Sequence, residues 1–346
     1  MADKADIFVS PAGSDNNDGT SNKPLASINM AAELAVPGTT VHVAPGTYTE
    51  NVRITKSGTA ANRISYTSDV KWGANITADN FNAPVDISGD YIDFEGFDIT
   101  GNATHGIQAG GSHIRIAGNH VHGFAKQDWQ ATNNGGAGIV TYCDGYTMHD
   151  ILIIGNVVHD IGPQFFCNFI HGIYTSGDRM YVLNNIVYNT SGYGIHAWHA
   201  ANRNTFANNL SFGNRRGGIV LGAGDSPGGV IADGFIVTNN IIVHNIGIGI
   251  SELGLTGTNN IFENNLVFGN TVAPLVLQNG NMDVNTIQAD PMFVDFKSDG
   301  SGNYRLKPGS PCIGAGTKLG AADTDAEGNK RPGSGPVDIG PYQFIA

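Results

Sequence analysis

The chain alternates short apolar runs with polar turns, and one phrase keeps returning. An apolar-x-apolar alternation leads into Gly-Asn or Asn-Asn and then into a second alternation. It reads Ile114-Arg115-Ile116-Ala117-Gly118-Asn119-His120-Val121 and then Ile151-Leu152-Ile153-Ile154-Gly155-Asn156-Val157-Val158. It returns around Asn184-Asn185, Asn208-Asn209, Asn239-Asn240 and Asn264-Asn265. The last Asn of each unit falls at 119, 156, 185, 209, 240 and 265, so the gaps are 37, 29, 24, 31 and 25 residues. The shortest gaps suit one coil of three short strands and three turns, and the longer ones add a loop. A second marker accompanies the first: Gly106-Ile107, Gly138-Ile139, Gly172-Ile173, Gly194-Ile195, Gly218-Ile219 and Gly249-Ile250.

Period-two alternation sends Ile and Val to one face of a strand. Asn tolerates the left-handed bends between strands and can bond to its counterpart in the next coil. We assign the recurrent Gly to turns. A single coil cannot bury its apolar face, so coils must stack, about 4.8 Å apart. The pattern therefore predicts an all-β fold, a single-stranded right-handed parallel β-helix. Pro24 to Ala35 places Leu25, Ile28, Ala32 and Ala35 at helical spacing, with Pro37-Gly38 beyond, and predicts a short capping helix. One domain results, with a cap to about residue 40, coils from about 41 to 285, and a Pro- and Gly-rich tail from about 286 that wraps the last coil.

Composition narrows the function. Gly 48 in 346 residues excludes a helical bundle, and 40% hydrophobic residues exclude a disordered chain. No stretch approaches the roughly 20 apolar residues of a membrane span. A formal charge of −12 argues against nucleic-acid binding, which needs a basic face. An acidic polysaccharide still fits a locally basic patch or a bound cation. Met1 to Asp6 lacks the apolar core of a signal peptide, so the expectation is a secreted or cell-surface protein after leader removal, with the cytoplasm as the alternative. A monomer and a homo-oligomer both suit a capped solenoid.

Ile7 to Thr20, the Pro24-Leu25 helix start and Pro45-Gly46-Thr47-Tyr48 resemble the opening of pectate-lyase-like parallel β-helix proteins. Asp290-Pro291-Met292-Phe293, Tyr304-Arg305-Leu306, Gly309-Ser310-Pro311 and Val337-Asp338-Ile339-Gly340 resemble their closing segment. The resemblance implies a carbohydrate-active enzyme with a polysaccharide or oligosaccharide substrate. Lyases of this family often hold Ca2+ on Asp clusters and use a Lys base. Here the central coils contain only Lys126 and no Asp-Asp cluster. No cofactor is therefore assigned, and Ca2+ stays an open expectation.

Candidate chemistry gathers in the middle coils, since nine of the eleven His residues lie between His105 and His199. Counting outward from each Gly-Ile stacks Tyr174 beside His196, and Tyr142, Ser176 and Trp198 in a second column. His171 and His199 flank the same strands, Tyr193 begins one, and Arg215 and Arg216 enter the next coil. Trp198, Tyr193 and Tyr142 offer faces for sugar rings, with His199, Arg216 and Lys126 as further substrate contacts. The lyase reading makes His196 or His171 the base, Tyr174 the acid and Arg215 the clamp on a uronate carboxylate. The alternative is a glycoside hydrolase drawing its two carboxylates from Asp144, Asp178, Asp225 and Glu252, with Asp144 and Asp178 stacked. Glu252 has inward parity, so either its strand has ended or its proton is held tightly. A third reading is a non-catalytic glycan-binding or structural solenoid. His122, His159, Tyr188, Phe212, His244 and Phe268 share one repeat position and read as a structural ladder. Asp15 to Gly19 reads as a turn leading into the helix, and Phe165, Phe166 and Phe169 as packing on the coil beneath.

Overall fold

The computed structural model describes residues 6–78, 83–124, 135–163, 165, 167–225 and 228–345. Three parallel sheets of 11, 9 and 9 strands run the length of the molecule, each strand pairing with its counterpart in the coils before and after. This is the expected right-handed parallel β-helix. The apolar alternation fills a continuous core from Val9 and Val41 through Ile116, Ile153 and Val182 to Phe262 and Val267, all buried. One short antiparallel pair, Phe293–Asp295 with Asn303–Leu306, lies in the tail. No helix among the described residues is long and apolar enough to cross a membrane.

The Asn pairs divide their labour. The first position of each pair takes the left-handed bend: Gly118 (φ 61), Gly155 (φ 65), Asn184 (φ 55), Asn208 (φ 57), Asn239 (φ 57) and Asn264 (φ 52). The second position is buried and forms a ladder. Asn119, Asn156, Asn185, Asn209 and Asn240 each donate through Nδ2, at 2.9–3.1 Å, to the Oδ1 of the next in line, ending at Asn265. A second ladder, Asn214 to Asn245 to Asn270, fills the following corner. Stacked amides satisfy one another where water is excluded, each bond contributing about 1 kcal/mol.

The Gly of each Gly-Ile does not sit in a turn. A Cβ on Gly138, Gly172 or Gly218 would lie 2.4, 2.2 or 2.2 Å from Val158 Cγ1, Val187 Cγ1 or Ile242 Cγ2 of the adjoining sheet. Glycine is required there because two sheets approach closely at that corner.

The capping helix spans Ile28–Leu34, shorter than the spacing suggests, because Ser27 Oγ caps it by accepting from Met30 N–H. Asp15 accepts from the N–H groups of Ala26 and Ser27, so the Asp15–Gly19 segment does shape the helix start. The tail first lays Ile287 beside Leu266 of the last Asn-bearing coil. It returns along the flank, where Phe293, Tyr304, Leu306, Cys312 and Ile339 pack on Tyr188, Phe212 and Val243. The first Asn of each pair anchors it: Asn184, Asn208, Asn239 and Asn264 donate to the carbonyls of Thr324, Asp338, Thr317 and Ala315. The aromatic column runs His122, His159, Tyr188, Phe212, Val243, Phe268. His244 falls one residue beyond it, at φ 53 in the turn.

Candidate active site

One sheet, in which Val52–Ile54, Val85–Ile87, His105–Ala109, Gly136–Thr141, Ile170–Thr175, Tyr193–Ala197 and Gly217–Ala223 follow one another, forms the floor of a groove of about 910 Å³. Its outward column runs Arg53, Asp86, Gln108, Val140, Tyr174, His196 in register. Five coil steps at about 4.8 Å make this about 24 Å, room for several sugar units. The expected pairing of Tyr174 with His196 is present, and the rings lie 5.0 Å apart. His171, Tyr193, Trp198, His199, Arg216 and Tyr142 also line the groove.

His171 is buried. Its Nδ1 accepts from the Tyr193 backbone N–H at 3.2 Å, and its Nε2 lies 2.8 Å from His196 Nδ1. A backbone N–H can only donate, so this contact fixes the tautomers. His171 carries its proton on Nε2 and gives it to His196 Nδ1, and His196 keeps its own proton on Nε2. Burial, with Arg216 adding to it, lowers the His171 pKa to about 3. Burial, then His171, Arg216 and His199, pushes His196 well below the ordinary imidazole value. Both rings are therefore neutral near pH 7, and neither has an unshared nitrogen lone pair to act as base. His196 Nε2–H is instead a fixed donor.

The imidazole with a lone pair is His199. Its Nδ1 lies 2.8 Å from Asp225 Oδ1, which can only accept, so Nε2 is left as acceptor. His199 holds φ 59 in the turn after its strand and stacks on Tyr146 at 4.5 Å. Its ring is 5.8 Å from that of Tyr174, edge to face. Burial first, then Asp225, raises the Tyr174 pKa, so the phenol stays protonated. Arg216 sits over the Tyr193 ring at 5.1 Å, and Tyr193 in turn is 5.5 Å from His196. Trp198 lies against backbone: a Cβ on Gly222 or Gly254 would come within 2.6 or 2.8 Å of its indole. Glycines in the next two coils thus leave the space that the indole fills.

Several expectations change. Arg216, not Arg215, reaches the groove, and Arg215 N–H bonds the Thr190 carbonyl. Ser176 is buried against Thr141 rather than lining the column. Phe165 and Phe169 are exposed, and Phe169 forms part of the groove wall. Asp144 sits in a short turn within 3.3 Å of the Tyr142 hydroxyl. Asp178 stands beside His149 and Asn202, not Asp144, and pairs with Arg179 and Arg203. Glu252 is fully buried with its strand intact, and Asn260 Nδ2, Asn281 Nδ2 and the Gln278 N–H satisfy it. Of the four hydrolase candidates only Asp225 lines the groove. Lys126 and Phe166 lie outside the described residues.

Calcium takes 6–8 oxygen ligands. Among the described residues the groove offers only two carboxylates, Asp86 and Asp225. Their coils are five steps apart, about 24 Å. The described residues of the groove do not fit a Ca2+ cluster.

A segment of 59 residues is 52% identical to the pectate lyase PEL9 of Emericella nidulans, covering 16% of this chain and 14% of that protein. Over 256 residues the chain is 28% identical to the uncharacterized protein YwoF of Bacillus subtilis, covering 73% of this chain and 44% of that one. The chain spans less than half the length of these relatives. The crystal structure of pectate lyase Pel9A superposes with a TM-score of 0.66 at 16% identity, covering 98% of this chain and 96% of that one. An alginate lyase from Paenibacillus gives 0.52 at 17% identity, covering 75% and 92%. Both likenesses speak for the fold. Residues 7–281 match the family model described as the Pel9A-like, right handed beta helix region, and the chain belongs to that family.

Proposed function

We propose that this protein is a polysaccharide lyase that cuts a uronate-containing glycan by β-elimination in the groove. His199 is the base: Asp225 holds its Nδ1–H, and Nε2 takes the proton α to the uronate carboxylate. Arg216 and the His196 Nε2–H neutralise the carboxylate as charge moves onto it. The bond from the β-carbon to the glycosidic oxygen then breaks, and the Tyr174 hydroxyl gives its proton to the leaving oxygen. The product carries a new carbon–carbon double bond, and the proton held on His199 Nε2 passes through water to the Tyr174 phenolate, which restores both groups. Trp198, Tyr142 and Phe169 supply faces for neighbouring sugar rings.

The observation that carries the reading is one groove holding an oriented imidazole lone pair, a protonated phenol and a guanidinium. The names of the similar proteins, a pectate lyase by sequence and an alginate lyase by fold, are consistent with this reading. Hydrolysis by paired carboxylates needs a separation of about 5–9.5 Å. The two groove carboxylates stand about 24 Å apart along the stack. The test is a panel of acidic and neutral polysaccharides, followed by the ultraviolet band of unsaturated uronate and by a reducing-end assay. The expected result is unsaturated product from an acidic polymer. His199→Ala should lower the rate by about 10²–10⁴-fold. New reducing ends without the ultraviolet band, or intact polymer that is merely bound, would overturn it.

A further inference from the structure

The sheet beside the groove carries a second histidine cluster that the lyase reading does not use. Asp98, His120, His122 and His159 come together from three successive strands, Asp98–Gly101, His120–His122 and Val157–Ile161. Asp98 Oδ1 lies 2.8 Å from His120 Nδ1 and 3.1 Å from His122 Nε2. His120 Nε2 faces His159 Nε2 at 2.8 Å, and His159 Nδ1 lies 2.7 Å from Asp160 Oδ2.

The chain Asp98–His120–His159–Asp160 therefore has three contacts and a carboxylate at each end. Each contact needs a hydrogen between its two atoms. Two neutral imidazoles bring one each. Wherever these are placed, one contact sets lone pair against lone pair. With both rings neutral, the three contacts are completed by one added cation, a metal ion or a proton.

We propose that Asp98, His120 and His122 form a site for a divalent transition metal of the Zn2+ class. Their three ligand atoms lie within 4.8 Å of one another. A cation there replaces the missing hydrogen of the Asp98–His120 contact. His120 then carries its proton on Nε2 and gives it to His159 Nε2, while His159 Nδ1–H goes to Asp160. Every contact is satisfied. This is the outer-shell arrangement that orients metal-bound imidazoles. The remaining partners are in place: Asn75 Nδ2 donates to Asp98 Oδ2 at 2.7 Å, Asn189 Nδ2 donates to Asp160, and Trp72 stacks on His120 at 4.7 Å.

Two imidazoles and one carboxylate suit Zn2+ rather than Ca2+, which takes six or more oxygens. Tetrahedral Zn–N bonds of 2.0–2.1 Å set ligand atoms about 3.3 Å apart, so the two carboxylate–imidazole contacts, 2.8 and 3.1 Å, need lengthen by only a few tenths of an ångström, and the two imidazole nitrogens already lie within 4.8 Å. Their partial exposure, 21–29%, leaves the ion a path and a fourth position for water. The other acid–imidazole group, His113, His149 and Asp150, is different, because Arg179 already holds both Asp150 oxygens, at 2.9 and 2.7 Å. The proposed metal joins two successive coils, with His159 of the next coil behind it, and is independent of the groove.

The test uses the whole chain, stripped with a chelator and titrated with Zn2+ at neutral pH by calorimetry and metal analysis. The expected result is one ion per chain and a raised Tm. His122→Ala should weaken uptake at least about tenfold, the size of loss seen when a metal site is disturbed. The H120A/H122A pair should abolish uptake, and His149→Ala should leave it unchanged. If the double variant fails to fold, the visible spectrum of Co2+ on the wild-type chain reports imidazole ligation directly. No stoichiometric uptake, uptake unchanged in H122A, or a featureless Co2+ spectrum would overturn the proposal. So would a network completed by a third proton, seen as a cluster that stays metal-free at neutral pH with Zn2+ in excess.

Discussion

Two imidazole pairs in this molecule have the same separation and opposite character. In the groove, His171 Nε2 and His196 Nδ1 lie 2.8 Å apart; on the adjoining sheet, His120 Nε2 and His159 Nε2 do the same. What differs is how each chain ends. The groove pair begins at a backbone N–H, that of Tyr193, which supplies a hydrogen of its own. The other pair is closed at both ends by carboxylates, Asp98 and Asp160, which supply none. The first is complete with neutral rings, and the second is complete only with an added cation. A histidine cluster is thus read by its terminal groups before its distances.

The sharpest way to break the groove half of this comparison is at His171, which touches no substrate in the proposed mechanism and acts by positioning His196. His171→Ala removes the donor to His196 Nδ1 and frees the His196 tautomer. A misplaced catalytic donor costs about a hundredfold in kcat. His171→Gln keeps both contacts, since a Gln oxygen can accept from Tyr193 N–H and its amide can donate to His196. Activity should therefore largely return in H171Q. Equal losses in the two variants would show that the ring itself, not its hydrogen bonds, is what matters.

The groove pair also makes a pH prediction. His171 titrates near 6.5 in the unfolded chain and at about 3 when folded, because burial disfavours the charged ring. As pH falls below the unfolded value, the unfolded chain takes up the proton first. Stability therefore declines from about pH 6.5 downward, by about 1.4 kcal/mol per pH unit for each such histidine, until the folded group titrates. By pH 5 this is about 2 kcal/mol for His171, readable by urea unfolding. H171Q should flatten the slope by that amount between pH 6.5 and 5. An unchanged slope would place the acid sensitivity elsewhere.

How far the sequence reaches depends on the range of the contact. The coil repeat was legible because it is local: Gly118, Gly155 and the first Asn of each pair take a bend that few residues adopt, and one residue later Asn119, Asn156 and Asn185 enter the ladder. Counting by twos from Gly172-Ile173 and Gly194-Ile195 was enough to bring Tyr174 to His196. The Gly of these markers was misread, because its cause is a Val or Ile on another sheet. The His199–Asp225 contact was invisible for a similar reason. It depends on a φ of 59 at His199 and on the turn after Gly217–Ala223, neither of which alternation encodes. Register slipped by one at His244 and again at Arg215 and Arg216, both beyond strand ends where period-two counting no longer applies.

The smallest predicted effect tests the comparison itself by giving the second cluster the ending of the first. Asp160→Asn replaces a group that only accepts with one that can also donate. The Asn amide then donates to His159 Nδ1, His159 Nε2–H to His120 Nε2, and His120 Nδ1–H to Asp98. Three contacts now have three hydrogens without any added cation, as in the groove. The metal-free state gains, while the ligands Asp98, His120 and His122 are untouched. Zn2+ affinity should therefore fall by about tenfold, the low end for an outer-shell change. The corresponding 1.4 kcal/mol should appear as a smaller Zn2+-induced rise in Tm. If Asp160→Asn binds Zn2+ as tightly as the parent, the carboxylate endings do not set the demand for charge, and the contrast between the two imidazole pairs loses its physical basis.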